Sequence, residues 1–120
     1  MVKIIVAGTR DFNDYDFLKE KLDGLIKFRK NTEIVSGTAK GADLLGEKYA
    51  NERGFSIKRF SADWDKFGKS AGYKRNEQMA EYADVCVCFW NGKSKGTQHM
   101  INLANNHGLK VFIIRYDLIR

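Results

Sequence analysis

The segment Ile34-Val35-Ser36-Gly37-Thr38-Ala39-Lys40-Gly41-Ala42-Asp43 decides the fold, because a short apolar strand passes there through small residues into a helical pattern. Gly37 and Gly41 carry no Cβ atom, so the backbone at these positions can approach a ligand closely. The helix that follows directs its unpaired N–H groups and the positive end of its dipole at whatever lies above the strand. The segment therefore predicts an anion-binding turn.

Three side chains of this segment strengthen that interpretation. Ser36 and Thr38 add hydroxyl groups, and Lys40 adds a positive charge, so the turn has the composition of a phosphate cradle. Turn and capping chemistry alone also favour Gly, Ser and Thr at a junction between a strand and a helix. The phosphate interpretation gains weight because the chain contains three such junctions.

The composition is that of an ordinary globular protein. The chain has 120 residues, with 43% hydrophobic and 30% charged, which suits one domain with one core over residues 1–120. No apolar run approaches the ~20 residues of a membrane-spanning helix, and the N-terminus does not resemble a signal peptide. We expect a cytoplasmic protein with no membrane partner.

The charge of the chain favours anionic ligands. Twenty-one Lys and Arg against 15 Asp and Glu give a formal net charge of +6. Such an excess suits nucleotides and also nucleic acid. The basic residues are scattered rather than clustered, so free nucleotides fit the pattern as well as polymers do.

The two cysteines, Cys86 and Cys88, lie in an apolar run two residues apart. On a strand this spacing places both side chains on one face. No second pair of ligands accompanies them at a spacing typical of zinc sites. We expect buried, reduced thiols, and neither a metal nor a cofactor.

Apolar strands alternate with helical patterns along the chain. The pattern predicts five strands, at Val2–Ala7, Glu33–Ser36, Phe55–Phe60, Val85–Phe89 and Lys110–Arg115. It predicts helices from Asn13 or Asp14 to about Lys30, from Gly41 to Arg53, from about Ala71 to Tyr82, and from Thr97 to about His107. The connection from Ser61 to Ser70 is predicted to be a loop. Phe28 is placed toward the core, and Leu44 is one of the apolar residues that the second helix carries.

This alternation predicts an α/β fold, namely a Rossmann-like three-layer domain with a five-stranded parallel sheet. If the strand order is 3-2-1-4-5, the chain direction reverses between the first and fourth strands. Ligands bind at the carboxyl ends of the strands at such a switch point. The turns at Gly8–Arg10, Ser36–Gly41 and Trp90–Thr97 would then converge on one place.

Several familiar nucleotide-binding signatures are absent. Neither Gly92-Lys93-Ser94 nor Gly68-Lys69-Ser70 has the upstream glycine of a Walker A loop, and no G-x-G-x-x-G follows the first strand. A different set of motifs spans nearly the whole chain: Gly8-Thr9-Arg10-Asp11-Phe12, Ser36 to Asp43, Ala62-Asp63-Trp64, Arg75-Asn76-Glu77-Gln78-Met79-Ala80, and Phe89 to Ile101. In order and spacing these motifs resemble the YspA/YpsA-related SLOG family, also known as the DUF2493 domain. This family is a Rossmann-like branch of the SLOG superfamily, which includes the LOG "lysine decarboxylase-like" phosphoribohydrolases and the DNA-binding DprA proteins.

The resemblance implies a nucleotide or nucleotide-derived ligand. LOG enzymes carry an Arg before the fourth strand and a P-G-G-x-G-T-x-x-E loop after it, and Arg75, Gly96 and Thr97 resemble parts of this pattern. Met100 stands where the loop has its glutamate. Hydrolysis of an N-glycosidic bond builds positive charge that a carboxylate stabilises and a methionine does not. Asp43, Glu47 or Glu77 would have to replace it, although a glutamate is usually a surface residue.

The candidate ligand-binding residues come from the three turns and from the helix before the fourth strand: Gly8, Thr9, Arg10, Ser36, Gly37, Thr38, Lys40, Gly41, Asp43, Arg75, Asn76, Trp90, Gly96 and Thr97. Arg10 follows a central strand, where it can hold a phosphate or pair with a helix carboxylate. Trp64 and Trp90 can each stack on a base or cover the core. His99 can act as an acid or base, or hydrogen-bond locally.

The first interpretation of function is a module that senses or sequesters a nucleotide-derived ligand. The alternatives are a nucleotide hydrolase of the phosphoribohydrolase type and a DprA-like nucleic-acid binder. LOG-type relatives also suggest a homodimer. Because the turn is interpreted as a phosphate cradle, Gly41→Val is expected to abolish binding and leave the fold largely intact.

Overall fold

The computed structural model describes residues 1–26 and 31–119. Five parallel strands form one sheet in the order β3-β2-β1-β4-β5. The strands are β1 (Val2–Gly8), β2 (Thr32–Ser36), β3 (Ser56–Arg59), β4 (Val85–Trp90) and β5 (Lys110–Arg115). The predicted fold class and strand order are confirmed, so the first and fourth strands are neighbours and the turns that follow them share one edge of the sheet.

The helices cover the two faces of this sheet. They are α1 (Tyr15–Ile26), α2 (Ala42–Arg53), α3 (Trp64–Phe67), α4 (Ala71–Tyr82), α5 (Lys95–Asn106) and α6 (Tyr116–Ile119). The segment from Ser61 to Ser70, predicted to be a loop, contains α3 and a 3₁₀ turn, because the Asp63 carboxylate caps a helical turn by accepting the Lys66 amide at 3.1 Å. The predicted end of α1 near Lys30 and the core position of Phe28 lie outside the described residues.

The alternation of side chains along β1 explains the three layers. Ile4 and Val6 point to the face covered by α1 and α2, where they pack with residues such as Leu18 and Tyr49. Ile5 and Ala7 point to the opposite face, under α4 and α5. Both faces are apolar, as expected of a central parallel strand. Leu44, one of the apolar residues of the predicted second helix, is 46% exposed because it lies on the outer face of α2.

The two cysteines confirm the same alternation on β4. Cys86 and Cys88 are both free, fully buried and part of the cluster under α4 and α5, with their sulfur atoms 3.5 Å apart. The hydrogen bond with Cys86, and then burial, raise the pKa of the Cys88 thiol. These thiols are therefore packing groups of the core.

Gly8 determines how closely β1 and β4 approach each other at the edge where the turns converge. It pairs with Phe89 in the parallel register, and a Cβ atom at Gly8 would lie 2.2 Å from the Phe89 carbonyl oxygen. The same atom would lie 2.9 Å from Cβ of Ala42 at the start of α2. A side chain at this position would therefore separate the two central strands from each other and from α2.

Among the residues that the structure describes, no helix combines the length and apolar character that crossing a membrane requires.

Gly8→Ala should lower the free energy of unfolding by about 3 kcal/mol, because a backbone oxygen cannot move aside to admit the new methyl group. Gly24→Ala is the matched control: Gly24 lies in α1, and no atom of the described residues comes within 4 Å of its Cβ position. This control should gain about 0.5–1 kcal/mol from improved helix propensity. Urea denaturation of both variants measures the difference. A Gly8→Ala protein within about 0.5 kcal/mol of the wild type would contradict the close approach of the strands.

Candidate functional site

A two-lobed cleft runs along the carboxyl edge of the sheet. Its first lobe, of about 520 Å³, lies between the turns after β1 and β4, the middle of α4 at Arg75, Asn76 and Met79, and the start of α5. Its second lobe, of about 490 Å³, lies between the turn after β2 and the segment that leads into α3. Arg10, Ala39 and Arg75 line both lobes and therefore mark their junction.

The structure brings most of the predicted site residues to this cleft. Those lining the first lobe are Gly8, Thr9, Asp43, Asn76, Gly96 and Thr97. Those lining the second are Gly37, Thr38 and Lys40, and Arg10 and Arg75 line both. Ser36, Gly41 and Trp90 do not line either lobe. The switch point between β1 and β4 accounts for the convergence, because the strand order aligns the ends of β1, β2 and β4.

Thr9 joins the turns after the two central strands. Its amide donates to the Phe89 carbonyl at 3.0 Å, and its hydroxyl oxygen accepts the Asn91 amide at 3.2 Å. The Asn91 side chain in turn accepts the amides of Lys93 and Ser94, both at 2.9 Å. Asn91 was not among the predicted site residues, although an Asn-Gly pair after a strand is a turn signal that the sequence contains.

Helix α5 begins at the cleft as a direct result of this turn. The Ser94 hydroxyl caps the helix by accepting the Thr97 amide at 3.3 Å, and the Thr97 hydroxyl donates to the same oxygen at 3.1 Å. Gly96 and Thr97 thus lie in the first turn of α5 and line the first lobe. The positive end of the helix dipole faces the space in which an anion would sit.

The turn between β2 and α2 is less open than a phosphate cradle. The buried Ser36 hydroxyl donates to Glu47 at 2.6 Å and accepts the Thr38 amide at 3.1 Å. The Ala39 amide donates to Oδ2 of Asp43 at 3.2 Å. The protein's own side chains therefore occupy two amides of the turn that the sequence interpretation assigned to a phosphate.

Close packing of α2 against the turn after β1 explains why residue 41 is a glycine, and the sequence alone did not reveal this packing. It caps α2 with a φ of 82°, and a Cβ atom there would lie 2.4 Å from the carbonyl oxygen of Thr9 and 2.5 Å from that of Arg10. The expectation that Gly41→Val leaves the fold intact is wrong, because the new side chain would collide with backbone rather than with a ligand. Binding has to be tested at other positions.

Asp43 places a carboxylate beneath the junction of the lobes. Only 5% of the residue is exposed, and burial raises the pKa of its carboxyl group from 3.8 to about 6. The Ala39 amide and the charge of Arg75 oppose this rise. A carboxyl group with a raised pKa in a cleft is a candidate functional group with a physical rationale.

Arg75 presents a fixed cation at the junction. Its Nη1 donates to the Gly37 carbonyl at 2.5 Å, and its Nε donates to Oδ1 of Asn76 at 3.0 Å. The Asn76 amide nitrogen lies 3.4 Å from the carbonyl oxygen of Gly96, which it contacts as a donor, so α4 and α5 are tied together behind the arginine. Burial lowers the pKa of Arg75 and the charge of Asp43 opposes this effect, and the guanidinium remains charged at neutral pH.

Arg10 is the second cation at the junction. Its side chain is less restrained by hydrogen bonds than that of Arg75. It is exposed, and within residues 1–26 and 31–119 it has no ion pair or side-chain hydrogen bond. Lys40 lines the second lobe and Lys93 the first, and both are exposed. Cations thus stand at the centre of the cleft and in both lobes.

The two tryptophans take different roles. Trp90 is partly buried against the cluster under α4 and α5, and its indole N–H donates to the Ser94 carbonyl at 3.1 Å. It covers the core, which was one of its two predicted roles. Trp64 lines the second lobe and is 51% exposed. The sequence suggests stacking on a base as one of its two roles, but Trp64 is not among the candidate ligand-binding residues.

Of the three carboxylates considered as replacements for the LOG glutamate, only Asp43 lines the cleft. Glu47 joins α2 to β2 and β3 by accepting from Ser36 and from Arg59 Nε at 2.9 Å, and Glu77 is exposed on α4. Met100 is buried and lines the first lobe. Nδ1 of His99 lies 3.3 Å from the side-chain amide nitrogen of Asn76, and burial lowers the pKa of the imidazole. His99 thus makes a local hydrogen bond, which was one of the two roles that the sequence suggested.

Asp43→Asn should remove a pH dependence of stability. The native protein keeps the Asp43 proton up to about pH 6, whereas the unfolded chain loses it near its ordinary pKa of 3.8, so the wild type loses stability as pH rises between these values. At 1.36 kcal/mol per pKa unit this loss reaches about 3 kcal/mol. Urea denaturation at about pH 4 and about pH 7 should therefore show the variant gaining up to this amount relative to the wild type. A difference between the two proteins that is the same at both pH values would contradict the raised pKa.

Comparison with known proteins identifies the family of the chain. The model of the YspA, cpYpsA-related SLOG family matches residues 2–67, which hold the turns after β1 and β2 and all of α3. The gene 61 protein of Mycobacterium phage D29 is 33% identical over 118 residues, which cover 92% of this chain and 94% of the phage protein.

Two solved structures share the fold. DNA processing protein A (DprA) from Streptococcus pneumoniae superposes with a TM-score of 0.77 at 19% identity, covering 94% of this chain. This chain spans half of the DprA chain, at 50%. The structural-genomics target TM1055 superposes with a TM-score of 0.68 at 20% identity, over 92% of this chain and 72% of that one. These two superpositions show the fold. The family model matches residues 2–67, which is more than half of the 120 residues, and on that match the chain belongs to the YspA, cpYpsA-related SLOG family.

Proposed function

We propose that the cleft binds a nucleotide or a nucleotide-derived small molecule through its phosphate, and that the protein senses or sequesters this ligand. The observation that carries the proposal is the position of Arg10 and Arg75, which line both lobes at their junction. A phosphate between two guanidinium groups accepts charge-assisted hydrogen bonds from both sides.

The two arginines suit different parts of that task. Arg75 is held by Gly37 and Asn76, so little rotamer entropy remains to be lost when it receives an anion. Arg10 is exposed and can move onto a ligand after it enters. The first turn of α5 adds the positive end of a helix dipole from the opposite wall. The lobe volumes also fall in the range of small-molecule sites.

The position of Asp43 supports a second candidate function, which is hydrolysis of a nucleotide. A carboxylate in the first lobe could stabilise the positive charge that forms when an N-glycosidic bond breaks. Met100 nevertheless occupies the place where LOG enzymes have their glutamate. We therefore favour binding without turnover.

Purified protein should release little or no free base and ribose phosphate from nucleoside 5′-monophosphates. Chromatography of the products after prolonged incubation measures this directly. Robust turnover would replace the binding proposal by the hydrolase, and the loss of that turnover in Asp43→Asn would identify the carboxylate responsible.

The third candidate, nucleic-acid binding, draws support from the name of the DprA relative and from the formal charge of +6. Binding to a polymer weakens steeply with salt because counterions are released. A gel shift of single-stranded DNA at low and physiological salt tests this candidate separately from the cleft.

Arg10→Ala should weaken the binding of ADP by about 10- to 100-fold, because one direct charge-assisted contact contributes about 1.5–3 kcal/mol. Lys110→Ala is the matched control, since Lys110 begins β5 at the opposite edge of the sheet and its loss removes the same charge. Calorimetry on both variants, with circular dichroism to verify folding, measures the effect. Equal affinities in the two variants would show that net charge, rather than the cleft, holds the nucleotide.

A further inference from the structure

The second lobe has features that a phosphate site alone does not explain. Trp64 exposes 51% of its surface at the wall of this lobe, although a ring of this size usually packs in a core. The hydroxyl groups of Thr38 and Ser61 lie 3.4 Å apart in the same lobe. The wall therefore offers one large aromatic surface and a pair of polar groups.

The position of Trp64 is fixed by the backbone around it. Asp63 caps the helical turn on which Trp64 stands, by accepting the Lys66 amide. The far edge of the indole lies 3.5 Å from where a Cβ atom of Gly72 would be, so the ring rests against the start of α4. A ring that is held in place and still half exposed is suited to stacking with a planar group of a ligand.

Backbone strain also concentrates at this lobe. Among the described residues, Thr38 is the one residue other than glycine that has a positive φ, which is 65°. Its amide is bonded to the Ser36 hydroxyl, and its own hydroxyl faces Ser61. Strained conformations persist where the surrounding structure maintains them, and they cluster at ligand sites.

The junction between the lobes relates the aromatic wall to the phosphate. Arg10 and Arg75 line both lobes, so an anion between them has open space on two sides. One side leads to Trp64, and the other leads to the start of α5 at Gly96. A ligand that ends in a phosphate fills one of these spaces, whereas a ligand with groups on both sides of its phosphate fills both.

We propose that the cleft is built for a nucleotide-derived ligand with an internal phosphate, of the dinucleoside diphosphate class, whose base stacks on Trp64 while its second half occupies the first lobe. This inference rests on the proposed function and narrows its ligand class. The charged centre holds the diphosphate, and each lobe holds one of the two halves.

Calorimetry with ADP and with P¹,P²-di(adenosine-5′) diphosphate tests the inference on the wild type. The dinucleotide should bind at least tenfold more tightly than ADP, although it carries fewer negative charges. Equal or weaker binding of the dinucleotide would overturn the inference and leave the proposed function standing. Failure of both ligands to bind would remove the proposed function as well.

Variants in the two lobes show whether one ligand spans both. Trp64→Ala removes the aromatic wall of the second lobe. Gly96→Leu places a side chain at the wall of the first lobe, where none of the atoms in residues 1–26 and 31–119 lies within 4 Å of the Cβ position. Each should weaken the dinucleotide about tenfold, whereas ADP should lose affinity in one of the two variants. Unchanged dinucleotide affinity in either variant would overturn the inference, as would equal losses for ADP in both.

Two control variants distinguish the loss of stacking, or of space in the first lobe, from a general destabilisation of the protein. Trp64→Phe keeps an aromatic surface and should retain most of the dinucleotide affinity, which a purely steric or structural role of Trp64 would not predict. Gly24→Leu makes the same exchange as Gly96→Leu in an open position on α1, outside both lobes, and should leave binding unchanged. A loss of affinity in Gly24→Leu equal to that in Gly96→Leu would overturn the assignment of the first lobe.

Discussion

The buried carboxylate of Asp43 is the constraint on which the cleft depends. It lies in the first turn of α2, where a helix N-terminus favours negative charge, and it binds the Ala39 amide of the preceding turn. The protein thus supplies its own anion to the turn that the sequence suggests for a phosphate. The charge of Arg75 remains next to Asp43 and favours its ionised form, while burial opposes it. The two arginines that face the cleft, Arg10 and Arg75, lie instead at the junction of the two lobes.

The sequence predicts which turns form the site, but not which groups inside those turns are already bonded to the protein. Apolar strands alternating with helices determine a parallel sheet, and the strand order brings the ends of β1, β2 and β4 together without any knowledge of side-chain contacts. The identities of the turns could therefore be predicted. The partners of Ser36 and the backbone contact at Gly41 could not, because both depend on residues brought close only by the fold, such as Glu47 and Thr9.

The exposure of the two tryptophans also could not be predicted from the sequence. In the sequence, Trp64 and Trp90 each lie near the carboxyl end of a predicted strand. In the structure Trp90 ends the central strand β4 and meets Ser94 and the core, whereas Trp64 comes after the edge strand β3, rests against the start of α4 and stays half exposed. Whether an aromatic ring is covered is therefore a consequence of strand order. Similarly, the methionine in place of the LOG glutamate is visible in the sequence, but only the fold shows that Asp43 is the remaining carboxylate in the cleft among those considered.

The central claim is that a ligand's phosphate lies between Arg10 and Arg75 and leaves the hydrogen bond from Ala39 to Asp43 in place. A titration of ¹⁵N-labelled protein with ADP, followed by NMR of amide and arginine Nε groups, tests it most directly. The account predicts the largest shift changes at the side chains of Arg10 and Arg75 and at the amides of Gly96 and Thr97, with the Ala39 amide little affected. Changes centred on the Ala39 amide, or outside the cleft on the groove that Leu25 of α1 and Phe112 of β5 line, would contradict it.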